Sequence, residues 1–348
     1  MAYISFQPKD YFNTVTYAGN SSSTQALTGV GFQPDWVWIK QRNLAYSHVL
    51  FDAVRGVGKN LQSNGTTAEE TNNSVGYLSA FDSDGFTVSQ GSSSGDRVNG
   101  AYNYVGWNWK ANGAGSSNTD GDITATVSAS TTSGFSIVKY TGNGSSGATV
   151  GHGLGSDVKM VMCKGLGDTY GWKVWHTNLT SGKTLVLQTT AAEDTDANRI
   201  ASANASTFTT SGTFSVNESG SDYVAYCFAE KKGFSKFGSY TGNGSADGTF
   251  IFTGFKPAFI MIKRTDTTGD WLMKDNKRPT VQNPVTSLLY PNTSGAEATG
   301  VNDADFLSNG YKIRTTGTAE NASGGTYIYM AFAESPIVSS NGVPATAR

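Results

Sequence analysis

The sequence is poor in charge, proline and cysteine, and it contains no long apolar run. Only 15% of its 348 residues are charged, and it has 8 prolines and 2 cysteines. No apolar stretch approaches the ~20 residues that are needed to span a bilayer. The start MAYISFQPKD also lacks the charged and then apolar pattern of a secretory signal. We therefore expect that the chain is synthesised in a cytoplasm and does not insert into a membrane.

Basic clusters and a disulfide framework are also missing. The net charge is −2, and the Lys and Arg residues are scattered along the chain, so nucleic acid is not an expected partner. Two cysteines, Cys163 and Cys227, are too few to hold a chain of this length together. We expect both to be buried as small apolar residues rather than to form a disulfide or to bind a metal.

Glycine and aromatic residues are abundant instead. The chain has 42 glycines, and 12% of its residues are aromatic. Short runs such as FSIVKY, WVWIK and FTVSQ are rich in β-branched and aromatic residues and are bounded by Gly, Asn, Ser and Asp. Convincing helical periodicity is absent. This pattern predicts an all-β protein made of short strands and tight turns.

One pattern of about 100 residues occurs three times. YTGNGS appears twice and YAGNSS once, and each copy closes on an aromatic strand; the openings are at 17–22, 140–145 and 240–245, and the closing strands at 101–110, 222–231 and 326–335. Regularly spaced short strands with turn signals favour antiparallel sandwiches. The sequence therefore predicts an all-β fold of three tandem antiparallel β-sandwich repeats, of jelly-roll or lectin-like type.

The repeats set the predicted domain organisation. It comprises an N-terminal arm (1–11), repeat 1 (12–111), a polar linker with one possible strand (112–133), repeat 2 (134–232), repeat 3 (233–336) and a C-terminal tail (337–348). Only Lys231, Lys232 and Gly233 join repeats 2 and 3, which indicates a compact and rigid unit.

The closing strand of each repeat is largely apolar on both faces. In repeat 1, Tyr104 and Gly106 lie on one face and Trp107 on the other. Alignment of the three copies places Cys227 and Ala331 at the Gly106 position. This pattern predicts a central strand that is buried on two sides. It also leads us to expect a homo-oligomer, with a trimer favoured.

The stretch YTGNGSSG contains a nucleotide-binding spacing. Gly142, Gly144 and Gly147 match G-x-G-x-x-G, but that fingerprint requires a helix directly after it. The following ATVGHGLG has no helical period, and the third glycine is displaced or missing in the other copies. Asn-Gly between two strands favours a hairpin turn, so we predict no cofactor.

Two acidic stretches resemble the start of a calcium loop. They are NTDGD at 118–122 and DSDG at 82–85. Neither continues to a bidentate Glu at the required distance, so polar turns are favoured and no metal site is predicted.

Catalytic motifs are missing from the sequence. The three histidines, His48, His152 and His176, lie in different settings and are interpreted as structural. Two cysteines without a suitable His nearby do not indicate a protease, so no catalytic residue is assigned. Paired carboxylates for glycoside hydrolysis remain an alternative. Three glutamates recur in phase, at Glu69, Glu193 and Glu297, and capping of a turn is the favoured interpretation.

The best candidates for binding lie in the middle of each copy. A D-x-x-R spacing joins Asp52 to Arg55 and Asp275 to Arg278, whereas repeat 2 has other residues there. An ion pair that closes a loop is the favoured interpretation. The alternative is a polar clamp beside an aromatic platform that grips a sugar ring. The candidate ligand-binding residues are Asp52, Arg55, Trp172, Trp271, Asp275 and Arg278.

Several long motifs together carry a resemblance to a known family. They are ISFQPKDYFNT, GFQPDWVWIK, YVGWNWKANGAGSSNTDGD, GFSIVKYTGNG, YVAYCFAEKKGFSKFGSYTGNG, DFLSNG and TYIYMAFAE. The chain resembles repeat-containing virion structural or tail-fibre-like proteins of tailed bacteriophages, especially marine ones, with lectin-like β-sandwich domains. The resemblance implies a location in the virion after synthesis in the host cytoplasm. It also implies other virion proteins as partners, and a host surface glycan as a further one.

Three functions follow as expectations. The first is a non-enzymatic virion surface protein, as a tail-fibre or tip component or for binding to the host surface. The second is a capsid decoration or head-fibre protein that braces the shell. The third is a glycan-degrading enzyme.

Overall fold

The computed structural model describes residues 6–71, 73–93, 96–281, 283–300 and 303–337. It confirms the expected all-β class, because the paired strands form six antiparallel sheets. Among the described residues, the helical segments are all far too short to cross a membrane.

Repeat 1 contains a four-stranded and a three-stranded sheet. Its strands are β1 (Phe12–Ala18), β2 (Gln25–Thr28), β3 (Trp36–Gln41), β4 (Val49–Asp52), β5 (Tyr77–Asp82), β6 (Gly85–Ser89) and β7 (Asn103–Trp109). Short 3-10 helices lie at Pro8–Asp10 and Asn73–Val75. The larger sheet has the order β1-β7-β3-β4 and the smaller has the order β2-β6-β5. The closing strand β7 is therefore an internal strand, as its two apolar faces predict.

Repeat 2 has the same plan with additional strands. They are β8 (Ser116–Asn118), β9 (Ala125–Ser130), β10 (Phe135–Thr141), β11 (Thr149–Gly151), β12 (Val158–Gly165), β13 (Lys173–His176), β14 (Leu185–Val186), β15 (Arg199–Ala203), β16 (Thr207–Ser211) and β17 (Asp222–Ala229). The sheets are β14-β13-β12-β17-β10-β9-β8 and β11-β16-β15. Residues 112–133, expected as a linker with one possible strand, contain two strands, β8 and β9. Both extend the larger sheet, because the alternating apolar residues of β9 pack against repeat 2.

Repeat 3 repeats the plan of repeat 1. Its elements are β18 (Ser235–Thr241), β19 (Phe250–Phe252), β20 (Phe255–Arg264), β21 (Trp271–Asp275), β22 (Ala304–Leu307), β23 (Gly310–Ile313), the one-turn helix α1 (Thr318–Asn321) and β24 (Thr326–Pro336). The sheet orders are β18-β24-β20-β21 and β19-β23-β22. In each repeat a hydrophobic cluster fills the space between the larger and the smaller sheet, which makes a two-layer sandwich.

A further cluster, which we call the central core, joins the three repeats. It collects apolar side chains from the opposite faces of the three larger sheets. The ring centroids of Trp36 and Tyr226 are 4.4 Å apart, and those of Phe12 and Phe332 are 5.1 Å apart, so aromatic contacts cross the repeat boundaries. The apolar outer face of each closing strand is thus covered within one chain. A homotrimer stays a prediction, and this face no longer gives a reason for it.

Strand register corrects the alignment of the closing strands. The tyrosine that opens each glycine motif pairs with a closing-strand tyrosine: Tyr17 with Tyr104, Tyr140 with Tyr223, and Tyr240 with Tyr327. Gly106 therefore corresponds to Ala225 and Tyr329, and its alignment with Cys227 and Ala331 is wrong by two residues. A shift of two residues keeps every side chain on the same face, so the apolar pattern does not reveal it.

The YTGNGS motif connects the two sheets of a sandwich. In repeat 2 it leads from β10 to β11, which belong to different sheets, so the predicted hairpin is wrong. A buried asparagine fixes the loop instead: Asn217 Oδ1 accepts from the Asn143 N–H at 2.9 Å, and its Nδ2 donates to the Ser145 carbonyl at 2.8 Å. Asn99 and Asn321 hold the other two loops in the same way.

The first glycine of each motif has a steric reason. A Cβ atom on Gly142 would lie 2.3 Å from the Glu218 carbonyl oxygen, and the corresponding distances at Gly19 and Gly242 are 2.0 and 2.4 Å. Such backbone contact leaves no room for a side chain. The glycines that suggested a nucleotide site therefore allow a close approach of two loops.

We expect Asn217→Ala to lower the free energy of unfolding by about 1–3 kcal/mol, because it removes the buried amide that bonds the Asn143 N–H and the Ser145 carbonyl. Denaturant unfolding of the full chain measures this loss. Asn112→Ala, at an exposed asparagine, is the control and should change stability little. Equal stability of the two variants would contradict the proposed role of the buried amide.

Candidate functional site

The six candidate binding residues lie at the boundaries between repeats. Each is buried, with no more than 5% of its surface accessible. None of them presents an open aromatic or polar surface to a sugar. Each lies against a neighbouring repeat, and the six residues do not form one site.

At the boundary of repeats 1 and 2, Asp52 and Arg55 form a buried ion pair of 2.5 Å. The hydroxyl of Tyr226, from repeat 2, donates to Asp52 Oδ2 at 2.8 Å. Arg55 also contacts Glu69 at 3.1 Å. Burial alone lowers the pKa of Arg55, but the Asp52, Tyr226 and Glu69 groups raise it above its ordinary value, so the guanidinium stays charged.

The boundary of repeats 3 and 1 uses the same arrangement. Asp275 and Arg278 are 2.5 Å apart, and Trp107 of repeat 1 donates from Nε1 to Asp275 Oδ2 at 3.0 Å. Arg278 contacts Glu297 at 2.9 Å, and Arg42 of repeat 1 contacts the same carboxylate at 2.7 Å. This geometry agrees with the ion-pair interpretation. It adds a contact to the next repeat that the D-x-x-R spacing does not indicate.

Repeat 2 replaces the ion pair by His176 and Leu179. His176 Nε2 lies 3.3 Å from the Tyr329 carbonyl of repeat 3, and its Nδ1 accepts from the Asn178 N–H. Burial lowers the pKa of His176 to about 4, so the ring is neutral at pH 7 and donates from Nε2. The expected structural role of this histidine fits the contact.

The two candidate tryptophans also bridge repeats. Trp172 donates from Nε1 to the Gln62 carbonyl of repeat 1 at 2.9 Å, and Trp271 donates to the Val186 carbonyl of repeat 2 at 3.2 Å. His48 takes the corresponding position in repeat 1, where burial lowers its pKa well below the ordinary value. These indoles anchor boundaries and are not platforms for a ligand.

The recurring glutamates complete a closed ring of contacts, which we call the inter-repeat ring. Their backbone N–H groups donate to the next repeat: Glu69 to Leu166 at 2.7 Å, Glu193 to Thr265 at 3.0 Å and Glu297 to Arg42 at 2.8 Å. Turn capping describes only part of their role: the Glu193 carboxylate accepts from the Thr180 N–H within repeat 2, whereas its backbone N–H bonds repeat 3. Repeat 1 thus contacts 2, repeat 2 contacts 3, and repeat 3 contacts 1.

The other motifs have local roles. Asp122 accepts from the N–H and the hydroxyl of Thr149, and Asp84 accepts from the N–H groups of Gly29 and Gly31, so both acidic stretches are polar turns. No group of three or more His, Cys, Asp or Glu side chains within the described ranges is arranged to hold a metal.

Both cysteines lie in the interior of repeat 2. Cys163 and Cys227 are buried and do not form a disulfide. Burial raises the pKa of Cys163 to about 12, so its thiol stays protonated at neutral pH. Their expected role as buried apolar residues fits this environment.

An open cavity of about 550 Å³ lies where repeats 1 and 2 meet. We call it the polar groove, and its charged lining residues are Arg55, Lys59, Glu69, Lys139, Asp168, Glu218 and Asp222. The ion pairs within each wall are loose, at 3.8 Å for Lys59 and Glu69 of repeat 1 and 3.4 Å for Lys139 and Asp222 of repeat 2. Exposed ammonium and carboxylate groups can therefore exchange these contacts for a polar ligand.

A smaller groove of about 340 Å³ lies at the next boundary. It is lined by Glu193 and otherwise by uncharged residues, among them Tyr240 and Thr326. The groove between repeats 2 and 3 thus lacks the mixed charges of the polar groove. Sequence reasoning missed the polar groove because its residues come from separate repeats and differ between the copies.

We expect Arg55→Leu to destabilise the protein by about 3–5 kcal/mol, because it leaves the Asp52 carboxylate buried without its partner. The double variant D52H/R55L gives repeat 1 the residues that repeat 2 carries at these positions, and we expect it to recover part of the loss. Urea unfolding measures both. A double variant less stable than Arg55→Leu would contradict this account.

The buried His176 predicts acid destabilisation. Its folded pKa of about 4 lies below the ordinary 6.5, so the unfolded state binds the proton more tightly and stability falls as pH drops from above 6.5 towards 4. Between pH 7 and 5 this loss is about 2 kcal/mol. His176→Asn should flatten the dependence in denaturant unfolding at several pH values. An unchanged slope would contradict this assignment.

Comparison with known proteins adds a family but no activity. A family model described as a domain of unknown function, DUF7483, matches residues 7–336 and so spans the three repeats together. Comparisons with curated proteins and with solved structures give no match. Because the family model covers nearly the whole chain, the protein belongs to the DUF7483 family.

Proposed function

We propose that this chain is a non-enzymatic bacteriophage virion surface protein, a tail-fibre or tip component that contacts a host surface glycan. The resemblance of its long motifs supports the virion assignment. The polar groove on a rigid body is the observation that carries the binding role.

The chemistry of the groove suits sugar hydroxyls. A hydroxyl both donates and accepts, and the groove offers acceptors at Glu218 and Asp222 and donors at Lys59 and Lys139. Hydrogen bonds to charged groups are stronger than those between neutral groups. The open shape and mixed charges fit a polar chain better than a compact apolar ligand.

The walls of the groove are held in place before a ligand arrives. Asn217 fixes one adjoining loop, the Glu218 N–H donates to the Tyr223 hydroxyl at 2.9 Å, and the Gly142 N–H donates to the Ser221 carbonyl at 2.8 Å. On the other side, the Asp52 ion pair holds Arg55. A preorganised site loses little conformational entropy on binding.

Capsid decoration is the second candidate. The inter-repeat ring arranges three similar sandwiches in cyclic order around the central core. Such a body can contact three neighbouring subunits of a shell in related ways, which favours a bracing role.

We expect K139M/E218Q to weaken binding to host surface polysaccharide by about tenfold or more, because charge-assisted hydrogen bonds are worth about 1.5–3 kcal/mol each. Biolayer interferometry with immobilised polysaccharide measures the change. The control Lys312→Met removes a partly exposed ion pair of repeat 3, outside the groove, and should bind like the wild type. Unchanged binding by the double variant would contradict the groove as the site.

Labelling of virions in electron microscopy separates the two candidate roles. Label at the tail agrees with the first proposal, whereas label on the capsid faces would replace it by decoration. Release of soluble sugar from host polysaccharide would contradict a non-enzymatic role.

A further inference from the structure

The outer edge of repeat 3 carries an exposed aromatic pair. Phe250 and Phe252 on β19 are 42% and 58% exposed, whereas Ile251 between them is 4% exposed and faces the sandwich core. The corresponding positions are Ala26 and Thr28 on β2 of repeat 1. On β11 of repeat 2 they are Thr149 and Gly151. At these positions, exposed aromatic residues are thus found in repeat 3 only.

The backbone of β19 is open on this edge. The Ile313 N–H of β23 donates to the Thr249 carbonyl, and the Thr253 N–H donates to the Asn309 carbonyl just before β23. Bonded positions alternate in an antiparallel ladder, so Ile251 is the bonded position between them. The N–H and C=O groups of Phe250 and Phe252 then point away from β23. An edge strand with free backbone groups and apolar side chains can pair with a strand of another chain.

Repeat 2 shows how such an edge is covered. The Ile123 N–H donates to the Thr149 carbonyl at 3.0 Å, and Asp122 accepts from the Thr149 N–H at 3.0 Å. Ile123 also forms a parallel bridge with Val150. On β11, the Ile123 backbone and the Asp122 carboxylate therefore satisfy the backbone groups that are open at Phe250. The same position accepts strand pairing within this fold.

We propose that β19 docks against β19 of a second copy of this chain, in an antiparallel pair around a two-fold axis. In the register centred on Ile251, Phe250 faces Phe252 of the other copy. Both residues then exchange N–H and C=O hydrogen bonds across the axis. The two three-stranded sheets join into one sheet of six strands. This surface lies apart from the polar groove and is independent of the proposed function.

Charge and side chains favour the second copy. The ionisable groups beside the edge are Lys312 and Arg314 with Asp247 and Asp305, which pair among themselves and carry no net charge. The edge therefore has no excess of positive or negative charge that would repel the same edge of a second copy. Facing aromatic pairs across antiparallel strands are stabilising. β19 contains neither a charged residue nor a proline, which are residues that protect the edges of natural sheets.

Light scattering and sedimentation of the full chain across the micromolar range test the proposal. We expect a dimer, in place of the trimer that the sequence favoured, for the wild type and for Thr28→Lys, which changes the matching position of repeat 1. We expect a monomer for Phe252→Lys. A wild type that is monomeric throughout, or a Phe252→Lys variant that still dimerises, would overturn the proposal. In the first case an extended segment of another chain would be the better occupant.

A cross-linking experiment tests the register without relying on loss of association. Phe250→Cys and Phe252→Cys proteins, mixed under oxidising conditions, should form a disulfide-linked heterodimer. Directly opposed Cα atoms of a bonded pair lie about 5.5 Å apart, which suits a disulfide. Each variant alone should cross-link poorly, because like positions are offset by more than about 7 Å. Equal cross-linking of all three samples would overturn this register.

Discussion

The burial of three apolar sheet faces against one another is the constraint on which this structure depends. Each sandwich already has its own core, yet the outer face of its larger sheet carries residues such as Trp36, Tyr226 and Phe332. Water would meet these faces in an isolated repeat, and an exposed patch of this kind favours association. Packing the three faces together removes them from water and produces one closed body.

The polar contacts at the boundaries give that body its order. Apolar packing has little directional preference, whereas buried charges require specific partners. Asp52 accepts from a residue of repeat 2, and Asp275 accepts from a residue of repeat 1. Together with the glutamate N–H groups, these contacts fix the cyclic sequence 1, 2, 3. Copies of one motif can therefore differ in chemistry, as at His176, while the geometry stays the same.

A frame that is shared by three copies leaves the surface free to diverge. The positions that face the central core keep their apolar character, but the groove residues and the outer strands differ from copy to copy. Lys139 and Asp222 line the polar groove, while repeat 3 has Ser239 and Thr326 at the matching sites. Likewise, among the corresponding strands β2, β11 and β19, only β19 carries aromatic side chains. The repeats thus share one frame but differ in surface chemistry.

The sequence by itself determined the all-β class, the repetition of one pattern and the burial of both cysteines, and it favoured an ion pair at each D-x-x-R spacing. These properties follow from composition and from residue periodicity, which are local. Only the tertiary structure decided what covers each apolar face, because periodicity reports that a side chain is buried and not which element buries it. Long-range pairing was needed to show that the loop at Gly142 is not a hairpin and that the alignment at Gly106 is wrong by two residues. It was also needed to place Trp172 at a boundary between repeats. The groove and the β19 edge likewise exist only once the repeats have packed.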